Sequence, residues 1–104
     1  ATRIATKMKL HKNFTEEYKK RHNPIWPELA QLLKTYGISD YSIFLDEETD
    51  ILFAILTAED PRKLDSLKTE EIMRKWWTYM KDLMQTNEDH SPVSTPLVEM
   101  FHLP

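Results

Sequence analysis

Ile51-Leu52-Phe53-Ala54-Ile55-Leu56 is an unbroken apolar run, and its reading decides the fold of this 104-residue chain. Without a polar side chain the run shows no alternation, so a strand built from it offers neither face to water. Such a strand lies at the centre of a sheet with both faces covered, or stands at an interface. Just ahead of it, "EETD" (47–50) reads as a turn, and "DYSIFLD" (40–46) alternates so that Tyr41, Ile43 and Leu45 share a face. The two strands make a hairpin, and the remaining elements are placed around it.

Toward the N-terminus, "TRIATKMKL" (2–10) sets Ile4, Met8 and Leu10 against Arg3, Lys7 and Lys9. That is the pattern of a half-buried strand. Asn13 with Glu16 three residues later predicts a capped helix start. Phe14, Tyr18, Ile25, Leu29, Leu32, Leu33 and Tyr36 then recur at helical spacing. Pro24 is compatible with this if Asn23 caps a restarted helix and Pro24 is its first residue, where no N–H is needed. Pro27 falls in that first turn. Gly37, the only glycine, ends the helix.

Toward the C-terminus, Asp60-Pro61 reads as a cap followed by a first-position proline, and Leu64 and Leu67 continue a short helix. Thr69 starts another, with Met73, Trp76, Trp77, Met80 and Leu83 on or near one stripe. Gln85–Pro96 is a loop by composition, long for a small domain, and such loops are often functional. "LVEMFHLP" (97–104) has the length of a last strand. Strand, helix, strand, strand, helix, strand is the order of an α+β fold of the ferredoxin-like, split β-α-β kind: a four-stranded antiparallel sheet with helices on one face. Residues 1–104 make one domain of this kind. The uncovered sheet face would expose the 51–56 run, so two copies should pair through their sheet faces as a homodimer.

Composition removes several function classes. Fourteen basic against seventeen acidic residues give a net charge of −3, with the signs interleaved, which argues against a nucleic-acid reader. No apolar run is long enough to span a membrane. The first residues show no secretory pattern, and a start at Ala1 suggests a processed or engineered end. The absence of cysteine excludes disulfides and thiolate metal sites and fits a reducing, cytoplasmic setting. The single glycine leaves no phosphate-cradling loop.

Of the four histidines, His11, His90 and His102 carry no metal-binding spacing, and no metal site is expected. His22 differs. It follows Tyr18 by four residues, one helical turn, so the two share a face, and it stands directly before Asn23-Pro24. A helix-end cap or a satisfied core histidine would explain it as well as chemistry would. Trp76 and Trp77 point about 100° apart on a helix, so either one packs and the other lines a groove or an interface, or both are half-buried against the sheet. With Tyr18, Tyr41 and Trp26 they supply flat rings with polar handles, suited to the C–H face and hydroxyl rim of a sugar, or to a dimer interface. The carboxylates at 46–50 read as a solvated turn.

"EYKKRHNPIWPEL", "DYSIFLD", "WWTYM", "NEDHSPVS" and the terminal "FHLP" together resemble the L-rhamnose mutarotase family, in order and over nearly the whole chain. The resemblance implies a cofactor-free isomerase with a dimeric α+β barrel that interconverts the α and β anomers of L-rhamnose. It implies that His22 is the catalytic acid/base and that Tyr18, Tyr41, Trp76 and Trp77 bind the sugar. Two other functions stay open at this stage: a cofactor-independent monooxygenase or haem-degrading protein of the same barrel, and a non-catalytic sugar-binding module.

Overall fold

The computed structural model describes residues 1–104. In chain order they form β1 (Thr2–Lys9), α1 (Thr15–His22), α2 (Pro27–Thr35), β2 (Ile38–Asp46), β3 (Ile51–Ala58), a 3-10 segment (Pro61–Thr69), α3 (Glu71–Met80) and β4 (Ser94–Pro96). The strands make one antiparallel sheet in the order β2-β3-β1-β4. This is the ferredoxin-like α+β arrangement, and the apolar run is the central strand β3, between β1 and β2.

On β3, Leu52, Ala54 and Ala58 are buried and oppose Met8, Thr6 and Thr2 on one side and Leu45, Ile43 and Ile38 on the other. Against this face pack Tyr18 from α1, Leu29 from α2, and Trp76 and Met80 from α3, with Leu10, Leu83 and Met84 completing the core. Each fully buried Leu or Met of this set contributes about 1.5–3 kcal/mol. The opposite face carries Phe44, 61% exposed, and the half-buried Ile51, Phe53 and Ile55.

A bulge interrupts the β2 ladder between Ser39 and Ser42, with Asp40 at φ 49. Two residues, Asp40 and Tyr41, stand where β3 offers only Leu56. The extra residue brings Ile38 and Tyr41, three apart in sequence, to the same cavity wall. Bulges commonly re-aim side chains in this way beside functional sites.

Four local expectations are corrected. Asn13 does not cap α1: it takes a left-handed conformation (φ 72), which Asn tolerates, and Phe14 precedes the helix with no side-chain cap. Pro24 does not open the second helix. The Asn23–Pro24 bond is cis, and α2 starts at Pro27, with Trp26 extended (ψ 128) ahead of it. A residue before proline is driven out of the helical region, so Pro27 keeps Trp26 from belonging to a helix begun at Pro24. Thr69 closes the 3-10 segment through a hydroxyl bond to the Ser66 carbonyl, 2.6 Å. The extended Glu70 then separates that segment from α3. The last strand, finally, lies inside the expected loop: Ser94–Pro96 pairs with Thr6–Met8. After the bond from Leu97 N–H to the Ala5 carbonyl, 2.9 Å, the tail has no ladder partner and so forms no strand. Val98, Met100, Phe101 and Leu103 are exposed, and His102 meets Arg3 at 2.6 Å.

Two expectations match the local geometry. Gly37 follows α2 at φ 77. The Asp60 carboxylate accepts from the Arg62 N–H ahead of the 3-10 segment.

Candidate active site

Helix α1 delivers two of the residues singled out from sequence. Tyr18 and His22 lie one turn apart, with ring centroids 4.4 Å apart and planes inclined by 30°. His22 is the last residue of the helix, where carbonyls lack intrahelical donors. Its Nδ1 lies 3.0 Å from the Tyr18 carbonyl. A carbonyl only accepts, so Nδ1 carries the hydrogen and Nε2 keeps its lone pair. No carboxylate takes part in orienting this ring.

The electrostatics favour the same form. Burial lowers the His22 pKa below its ordinary 6.5, outweighing the opposing pull of the Tyr18 carbonyl. Near neutral pH the imidazole is therefore an uncharged base. Burial raises the Tyr18 hydroxyl well above the usual tyrosine range, and the neighbouring Tyr41 adds to the shift. Tyr41 is 44% exposed as a whole residue, yet its hydroxyl is desolvated and its pKa is also raised. Both phenols remain protonated donors.

From α3, Trp76 is 7% exposed and meets His22 edge-on, centroids 5.1 Å apart at 87°. Trp26 packs edge-on against Trp76 at 5.1 Å and lies 5.2 Å from Tyr79. Trp77, next in the helix, is half-buried and points elsewhere along the cavity wall. So Trp76 is the packing ring of the pair and Trp77 the more accessible one.

Tyr18, His22, Tyr41, Trp76 and Trp77 all line one cavity of about 790 Å³ between the helices and the sheet. Its wall is largely apolar, with Lys19, Asn23 and Asp40 among the polar groups. Pockets for small organic ligands are of this size and character. The other histidines are elsewhere: His90 lies beside the Thr78 hydroxyl at 3.4 Å, and His102 is in the tail. No group of three or more His, Asp or Glu side chains converges as a metal site would require. Two residues beside the cavity escaped the sequence reading, Arg21 and Tyr79. Arg21 sits in "KKRH", which looks like a solvated basic run, and only the three-residue spacing from Trp76 hinted at Tyr79.

Fold and site together define a class: a small ferredoxin-like domain with a histidine, held through Nδ1 by a backbone carbonyl, in an aromatic-walled cavity of the size that takes a small organic ligand. Known proteins narrow this further. The model of the family described as L-rhamnose mutarotase matches residues 3–103. An L-rhamnose mutarotase of Formosa agariphila is 52% identical over 101 residues, 97% of each chain. One of Burkholderia ambifaria is 50% identical over the same length and share. A crystal structure of an L-rhamnose mutarotase from Formosa agariphila superposes with a TM-score of 0.93, at 50% identity and with 100% of both chains covered. The chain belongs to the L-rhamnose mutarotase family.

Proposed function

We propose that this protein is an isomerase that interconverts the α and β anomers of L-rhamnose, with His22 as the group that moves the proton. The supporting observation is the setting of that ring: hydrogen-bonded through Nδ1 to the Tyr18 carbonyl, on the wall of a cavity large enough for a hexose.

The chemistry follows from the hemiacetal. Nε2 takes the proton of the anomeric hydroxyl and hands it to the ring oxygen as the C1–O5 bond breaks, giving the open-chain aldehyde. The C1–C2 bond rotates. Closure on the other carbonyl face returns the protons. An imidazole nitrogen can both take and return a proton, so it serves both directions. Tyr18, whose phenol stays protonated, donates to a sugar oxygen at the same end of the cavity, with Tyr41 beside it. Trp77 covers the C–H face of the pyranose. The apolar wall receives the methyl group that distinguishes a 6-deoxy sugar from one with a hydroxymethyl arm. Acid–base assistance of this kind is worth roughly 10²–10⁴-fold, about 3–5 kcal/mol of barrier.

We further propose that two copies pair through the face bearing Phe44, Phe53 and Ile55, forming the dimeric barrel, and that the protein works in the cytoplasm. Polarimetry of freshly dissolved crystalline L-rhamnose tests the activity. Catalytic amounts of protein should speed the approach to the equilibrium rotation in proportion to concentration. An unchanged decay would reject the proposal.

A further inference from the structure

Helix α1, which carries Tyr18 and His22, is only eight residues long and has no side-chain cap at its start. A helix this short does not hold itself in water. It must be held from outside, and one side chain makes most of the polar links. Arg21 Nε donates to Glu17 Oε2 on the same helix at 2.9 Å. Its Nη1 donates to the Tyr79 carbonyl at 2.5 Å and to Asp82 Oδ1 at 2.9 Å, and Nη2 donates to Asp82 Oδ2 at 3.3 Å. The guanidinium also lies over the Tyr79 ring, 4.8 Å from its centroid. The side chain is 15% exposed, so this is not a loose surface pair.

Those contacts close a loop of packing around the candidate base. Tyr79 packs at a tilt against Trp26 and Trp76, at 5.2 and 5.6 Å, and Trp76 meets His22. Arg21 and His22 are consecutive and project about 100° apart. Two faces of the last turn of α1 are thus fixed to α3, one by a charged fork and one by ring packing, and Tyr79 belongs to both. The fork also holds the C-terminal end of α3, where free carbonyls favour a cation.

We propose that Arg21 is a positioning residue for the mutarotase reaction: by locking the last turn of α1 to Tyr79 and Asp82 at the end of α3, it fixes where Nε2 of His22 stands relative to the sugar. The proposal rests on the role given to His22 above. It acts through geometry, for which an error of about 1 Å can cost on the order of 100-fold in rate.

The test uses Arg21→Met, Arg21→Lys and Asp82→Asn in the full chain, with Arg62→Met as a control because the Arg62 side chain is 90% exposed and pairs only with Asp60, two residues away. Two readouts are taken well below the unfolding temperature: anomer exchange of L-rhamnose, and the ring-proton NMR resonances of His22 in sugar-free protein, which sense Trp76. Arg21→Met should lower kcat by roughly 10–100-fold with KM changed less than about threefold, and should move the His22 resonances. Lysine, without the fork, should restore only part of the rate. Asp82→Asn should show a smaller loss of the same kind, and it decides the matter should Arg21→Met fail to fold. Variants that melt earlier but keep both kcat and the His22 resonances would overturn the proposal, leaving Arg21 a merely structural residue. Moved resonances with an active His22→Ala variant would instead indict the role of His22 itself.

Discussion

His22 is one imidazole at the end of a short, mostly polar helix whose buried residue is Tyr18. The Tyr18 carbonyl selects the tautomer, while desolvation keeps the ring neutral. The sign of the pH response follows. With His22 as the proposed base, activity needs the unprotonated ring, so it should be full above the folded-state pKa and fall as pH drops through it. Because that pKa lies below 6.5, the acid limb of the kcat/KM profile should fall below 6.5, as rates measured between about pH 4 and 8 will show. Stability moves in the same direction. The unfolded chain binds this proton more readily, so the His22 contribution to stability declines as pH falls from 6.5. Tyr18 offers the complementary test. Tyr18→Phe keeps the ring that packs in the core and removes the hydroxyl. It should lower kcat on the order of 100-fold while changing the chemical-denaturation midpoint little.

At the scale of elements, the break between α1 and α2 determines where His22 stands. Prolines 24 and 27 end one helix and start the next, and Trp26 between them packs on Trp76 and Tyr79. At the other end of α2, Gly37 turns the chain into β2 in a left-handed conformation (φ 77). A Cβ there would lie 2.8 Å from Glu59 Cβ. Gly37→Ala should therefore cost about 1–2 kcal/mol, seen as a lower urea midpoint at unchanged m-value. Much at this scale was legible in the sequence. The alternation of 2–10 and the apolar run at 51–56 marked β1 and β3, because a strand's faces are written in every second residue. Gly37 and Asp60 marked their turns through backbone chemistry. What could not be read depended on tertiary context. Asn13 suits a left-handed turn as well as a cap. The strand at Ser94–Pro96 exists only because β1 has a free edge beside it. The roles of Arg21 and Tyr79 arise from two helix ends meeting, which no local pattern records. Tyr18, Tyr41, His22 and the Trp pair stood out because aromatic and imidazole side chains are costly to cluster, and the fold brings all five to one cavity.

The whole molecule has two unlike sheet faces. One is sealed by helices and holds the cavity. The other presents Phe44 at 61% exposure, directly across from Phe53 on β3. A second copy covering it would also explain why β3 is apolar on both sides. Phe44→Asp should then shift the mass measured by light scattering from that of two chains toward the 12.4 kDa of one, whereas a wild type already monomeric at micromolar concentration would refute the pairing. The account as a whole turns on the proton transfer, and NMR saturation transfer between the α and β anomeric protons of L-rhamnose measures it at equilibrium. Wild-type protein should exchange the two signals, and folded His22→Ala should do so slower by roughly 10²–10⁴-fold. Full exchange by the alanine variant would contradict the central claim.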